Sequence, residues 1–88
     1  MTYRVTLSRQ ARRALTVELP EAVAAACFAF IDGPLADNPQ RVGKALHEPL
    51  AGLMSARRGE FRVIYTINDQ DVVVHVVTIR HRRDAYRT

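Results

Sequence analysis

This 88-residue sequence has one cysteine, no tryptophan, six other aromatic residues, four glycines and four prolines. A lone cysteine excludes an intrachain disulfide framework, so the fold must rest on its apolar core. Cys27 lies inside the apolar run 22–31 and reads as small core filler. No apolar run is longer, and it is about half of the roughly 20 residues that a membrane-spanning helix needs. No membrane span is therefore expected, and Arg4 and Arg9 stand too close to the start for a secretory leader. The expectation is a reduced, cytoplasmic protein. Three histidines and one cysteine at scattered positions form no metal-ligand set, and no cofactor is implied. Lysine is scarce as well: Lys44 stands alone, and every other cation is an arginine.

What is present is ordinary globular material, 48% hydrophobic and 25% charged, enough for one domain over residues 1–88. The net charge of +4 is unevenly spread. Residues 41–62 carry Arg41, Lys44, Arg57, Arg58 and Arg62 against Glu48 and Glu60. Residues 80–88 carry Arg80, Arg82, Arg83 and Arg87 against Asp84, and the rest of the chain is slightly acidic. Such a concentration suits a surface that meets a polyanion or an acidic partner. Arginine suits phosphate in particular, through its planar two-pronged donor edge.

Alternation over residues 3–7 predicts a strand. Ser8 can cap a helix through about Leu19, with Ala11, Ala14 and Leu15 inward. Pro20 separates it from a second helix over 21–31, ended by Asp32-Gly33-Pro34. That second helix is apolar nearly all round, which predicts cover on both sides, by the sheet and by its neighbour helix or a partner. Residues 34–50 read as a loop-rich connector. Strands are expected over 54–58, 60–67 and 72–80, with turns at Arg58-Gly59 and at 68–71. The order strand, helix, helix, strand, strand, strand predicts a small α+β domain, with a helical hairpin packed on one face of a mostly antiparallel sheet.

The second hairpin yields a register. Closing it on Asp69-Gln70, or on all four turn residues, pairs Ile67 with Val72, Tyr65 with Val74, Val63 with Val76 and Phe61 with Thr78. That apolar surface belongs under the helices. The opposite surface then holds Arg62 beside Val77, Ile64 beside His75 and Thr66 beside Val73, and leads toward His81. Ser55 and Arg57 join it. An arginine at a strand centre, facing away from the helices, can be a solvated residue or part of a site. The nearby Arg57 and the Arg82 segment favour a site. His75 reads as structural.

These residues together resemble the RelE/ParE superfamily, the toxin subunits of bacterial toxin–antitoxin pairs. The matching pattern is Leu50-Ala51-Gly52-Leu53, then Ser55-x-Arg57-x-Gly59-x-Phe61-Arg62-x-x-Tyr65-x-Ile67, then a valine-rich strand ending Ile79-x-His81-Arg82-x-x-x-Tyr86. It covers almost the whole chain and is most similar to the RelE branch. The resemblance implies a metal-independent, ribosome-dependent endonuclease that cuts mRNA by attack of the ribose 2′-OH on the adjacent phosphate. By motif position, Arg62 would stabilise transition-state charge and Arg82 the phosphate or leaving group. Tyr86 would stack on or position the nucleotide, and Arg57, Arg58, Lys44 and Arg83 would hold RNA.

The sequence departs from the RelE pattern where that branch carries two lysines, since Leu53 and Ser55 stand there. His81 is the obvious titratable substitute, with Lys44 and Glu48 more remote. The resemblance further implies a RelB-like antitoxin, ribosome and mRNA as partners, and binding of operator DNA by the toxin–antitoxin complex. A ParE-like inhibitor of DNA gyrase and a non-catalytic antitoxin-binding, co-repressing module are the alternatives.

Overall fold

The structure, a computed structural model, describes residues 2–84. Five strands form one sheet in the order β1-β5-β4-β3-β2: β1 Arg4–Leu7, β2 Gly43–Ala45, β3 Met54–Arg58, β4 Phe61–Asn68 and β5 Val73–His81. β1 runs parallel to β5, and every other pairing is antiparallel. The helical hairpin comprises α1, Arg9–Arg13, and α2, Glu21–Phe30. As expected, it packs on one sheet face. There Ala11, Ala14, Cys27, Ile31 and Leu35 meet Ala56, Val63, Tyr65, Val74, Val76 and Ile79. Cys27 is buried in this core, and its thiol is pushed up by burial, partly opposed by the Arg58 guanidinium.

Ser8 caps α1 as the sequence predicts, its hydroxyl accepting from the Ala11 amide at 3.0 Å. Both helices then widen. α1 continues as a π-helical turn over Ala14–Glu18, and α2 as another over Ile31–Leu35. Asp32-Gly33-Pro34 therefore does not end the second helix. Pro34 has no N–H to give to an ordinary helical turn, and the wider turn carries the chain past it. Within the single chain one side of α2 stays open, the side for which the sequence leaves a partner as cover: Phe28 is 55% exposed and Val17, on the neighbouring turn, 67%.

The connector is more ordered than expected. It holds α3, Pro39–Val42, and the edge strand β2, which adds a fifth strand to the four that the sequence predicts. Tyr65 ties this piece down. Its ring is fully buried, its hydroxyl donates to the Pro39 carbonyl at 2.6 Å, and burial pushes its pKa up to about 12. Gly43 is required beside it. A Cβ at that position would run into Tyr65 Oη and come within 3.0 Å of Tyr65 Cζ and the Ser55 carbonyl oxygen.

Candidate nucleic-acid interface

The first hairpin turns on Gly59-Glu60, one residue later than expected, with Gly59 at φ +60 and Arg58 paired to Phe61. This is a primed-type turn, in which glycine supplies the positive φ. The change is of two in register and so preserves the faces: Arg57 pairs with Arg62 and Ser55 with Ile64. Both pairs point away from the helices, as the sequence predicts.

The second hairpin differs more. Its loop runs through Val72, a β-branched residue at φ +57, and Ile67 pairs with Val74 rather than Val72. Thr66 consequently sits beside His75, not Val73. A bulge then falls between Ile64 and Tyr65, where Tyr65 pairs with Val76 and Ile64 with Thr78, leaving Val77 as the extra residue. One inserted residue exchanges the faces of everything beyond it. Val63 thus meets Ile79, Arg62 meets Arg80 and Phe61 meets His81.

The open face is therefore crossed by a row of three guanidinium groups from adjacent strands, Arg57, Arg62 and Arg80. Neighbouring strands stand about 4.8 Å apart, so the three backbones span about 10 Å. Among the described residues no carboxylate forms an ion pair with any of the three. Arg62 Nη1 lies 3.4 Å from its neighbour's carbonyl at Phe61, and Arg80 Nε lies 3.4 Å from Thr78 Oγ1. The next row on the same face is Lys44, Ser55, Ile64 and Thr78. Lys44 thus lies on a strand beside Ser55, not in a loop. This row is also partly closed off, since Ile64 is only 3% exposed.

Arg80 was missed by motif reading, because a residue inside a valine-rich strand carries no sign of a bulge. Other expected site residues are placed differently. His81 lies with Phe61 on the helix-bearing side, ring centroids 5.4 Å apart in an edge contact, which corrects its expected place on the arginine face. Its Nδ1 accepts the Arg83 amide at 3.3 Å, and its Nε2 faces Glu60 Oε2 at 3.8 Å. Both ring nitrogens thus contact the turn residues Glu60 and Arg83. Arg58 pairs with Phe61 and also belongs to the helix-bearing side, apart from Arg57.

Arg82 follows the last strand. Its amide donates to the Glu60 carbonyl at 2.7 Å and its Nε pairs with Glu60 Oε2 at 3.0 Å, so its charge is shared. Arg83 is exposed in the same turn. Tyr86 lies outside the described residues. His75 is held by Thr6 on β1, Oγ1 to Nδ1 at 2.8 Å, as befits a structural residue.

The arrangement can bind a phosphodiester along the row and oppose charge that builds on its oxygens. Among the described residues no cluster of three histidine, cysteine or acidic side chains could hold a metal, and no helix is long and apolar enough to cross a membrane.

Comparison with known proteins gives the family. A family model described as the ParE toxin of the type II toxin–antitoxin system matches residues 5–86. Toxin RelE of Mycobacterium tuberculosis is 47% identical over 85 residues, covering 97% of this chain and 87% of that protein. Toxin RelG of the same organism is 44% identical over 87 residues, 99% of each. The structure of the RelBE2 toxin–antitoxin complex from M. tuberculosis contains a chain with a TM-score of 0.87 and 41% identity, covering 93% of this chain and all of that one.

Proposed function

Since this chain belongs to the ParE toxin family of type II toxin–antitoxin systems, with RelE-type toxins among its relatives, we propose that it is a ribosome-dependent mRNA endonuclease. The observation that carries this reading is the row of Arg57, Arg62 and Arg80 on the open sheet face, with no carboxylate in an ion pair with it among the described residues. In the proposed reaction the ribose 2′-oxygen forms a bond to the adjacent phosphorus while the bond to the 5′-oxygen breaks. The 2′-OH proton passes to a base and the leaving 5′-oxygen gains a proton, giving a cyclic phosphate and a free 5′-OH. Negative charge accumulates on the non-bridging oxygens, where guanidinium donors held at fixed spacing stabilise it without reorganising.

Arg62, at the centre of the row, is assigned the transition-state role. Arg80, which faces Arg62, takes the phosphate or leaving-group role that motif reading gave to Arg82. Arg82, with Arg83, guides the RNA backbone from the end of β5, and Tyr86 positions the nucleotide. Lys44 is the candidate proton carrier on this face, in the row next to the arginines, and it takes the place of His81 in that role. An open, shallow face gives little orientation of its own, so the ribosome is assigned the task of presenting the strand. That places the protein's action in the cytoplasm.

The partner that restrains it is proposed to be a RelB-like antitoxin, as in the RelBE2 complex, with the pair binding operator DNA. The name of the matching family model favours one other reading, a ParE-like gyrase inhibitor.

The test is induced expression, with growth and mRNA 5′ ends followed in translating cells. Arg62→Ala and Arg80→Ala should each lower cleavage by about a hundredfold or more, and Arg82→Ala by less. Lys44→Arg should keep RNA binding and lose cleavage. Full toxicity in a folded Arg62→Ala/Arg80→Ala double variant would end the nuclease reading. Lost supercoiling with intact mRNA would identify a gyrase inhibitor, and neither effect a purely antitoxin-binding module.

A further inference from the structure

The helical hairpin leaves one side open, and that side is a groove. On α2 the residues Glu21, Ala24, Ala25 and Phe28 follow at helical spacing and so share a face, while Cys27 turns to the core. With Leu15 from the turn after α1 they line a space of about 470 Å³, which Arg12 also borders. Small alanine side chains hold its middle, and the Phe28 ring beside them is exposed. Burying such a ring against a second apolar surface is favourable.

Two charges mark the ends of this groove. Glu21 follows directly on the Leu19-Pro20 connection, at the closed end of the hairpin, and Arg12 stands toward the open end, as Phe28 does. At 1.5 Å per residue, Glu21 and Phe28 lie about 10 Å apart along the helix axis. Among the described residues neither Arg12 nor Glu21 forms an ion pair; their neighbours Arg13 and Glu18 pair with each other. An acid at one end and a base at the other make the groove its own complement when a second copy is turned by half a rotation.

We propose that this groove is the interface of a homodimer, in which two copies of α2 pack antiparallel about a two-fold axis passing between Ala24 and Ala25. The small residues at the axis let the helices approach closely. Each Phe28 ring then lies toward Ala24 and Leu15 of the other copy, and each Arg12 toward Glu21 of the other copy, at two symmetric places. A buried aromatic anchor inside a charged rim is the arrangement from which such interfaces draw their affinity. Both arginine rows lie on the opposite sheet face and stay open, so the inference does not rest on the nuclease reading.

The experiment is sedimentation equilibrium of the full chain alone, from about 1 μM to 1 mM, with circular dichroism and thermal melting to show that each variant is folded. The mass should rise with concentration toward that of two chains. Phe28→Glu, at an exposed position, should hold the folded chain as a monomer throughout. Arg12→Glu and Glu21→Arg should each weaken association by roughly tenfold or more, since one change meets both symmetric pairs. Combining them in Arg12→Glu/Glu21→Arg should restore the dimer, because the two-fold axis re-forms each pair with its signs exchanged. A parent chain that stays monomeric at every concentration overturns the proposal. So does a dimer that survives Phe28→Glu, or a folded double charge variant that associates no better than the single ones. A chain that is monomeric alone and shifts its Ala25 and Phe28 amide resonances only when a RelB-like antitoxin is added would give the groove to that partner and equally overturn it.

Discussion

Replacing Gly43 with alanine tests how the edge strand that carries Lys44 is fixed. The added methyl would collide with Tyr65 Oη and press on Tyr65 Cζ and the Ser55 carbonyl oxygen, both 3.0 Å away. The ring has nowhere to retreat, because it is fully buried and its hydroxyl is bonded to the Pro39 carbonyl. Overpacking of this kind costs about 1–3 kcal/mol, and moving the hydroxyl off Pro39 adds about 1 kcal/mol. A domain of this size loses roughly 4–8 °C of Tm per kcal/mol, so Gly43→Ala should melt at least 5 °C below the parent, roughly the low end of those costs. Tyr65→Phe alone should cost about 1–2 kcal/mol for the lost hydrogen bond.

The informative measurement is the double variant, by urea denaturation. Removing the hydroxyl removes the worst collision, so Gly43→Ala should cost about 1 kcal/mol less when made in the Tyr65→Phe protein, within the coupling expected of touching residues. Additive costs, or a neutral Gly43→Ala, would refute the account of β2. RNA cleavage by Gly43→Ala should fall further than stability alone explains, because β2 is what sets Lys44 beside Ser55.

Val72 holds a left-handed φ of +57 that a β-branched residue adopts at a cost of about 1–2 kcal/mol. Val72→Gly should therefore stabilise the protein by about 0.5–1 kcal/mol after glycine's larger unfolded-state entropy is deducted; a lower urea midpoint would count against the strain. The raised pKa of Tyr65, about 12, predicts alkaline instability. Below about pH 10 the phenol is protonated in both states and its contribution is complete. Above that the unfolded chain loses the proton first, and stability falls by up to about 1.4 kcal/mol per pH unit until the folded pKa is passed. Ultraviolet titration should show the Tyr65 phenolate appearing only with unfolding; its appearance at pH 10 in the folded state would contradict the burial.

Much of this architecture was already legible in the residues. Ser8 and Pro20 bracket the first helix, and the alternation of Phe61, Val63 and Tyr65 against Arg62 and Ile64 fixes which way β4 faces. Arg57 and Arg62 follow onto the open side because any hairpin change by two residues keeps the faces. The run Val72-Val73-Val74-His75-Val76-Val77 carries no such alternation, so neither the left-handed Val72 nor the unpaired Val77 leaves a trace in the pattern. β2 is three residues long, too short for a period to declare itself, and α3 is barely one turn.

The sequence by itself determined an arginine-bearing sheet face opposite a helical hairpin, because polar and apolar side chains separate at period two in β4. Only the tertiary structure decided which residues complete that face. A single bulge, chosen by how β5 must fit both β4 and β1, turned Arg80 toward Arg62 and His81 toward Phe61. The packing of Tyr65 against Pro39 and Gly43 brought Lys44 alongside. Both outcomes depend on contacts between segments tens of residues apart, which local patterning does not encode.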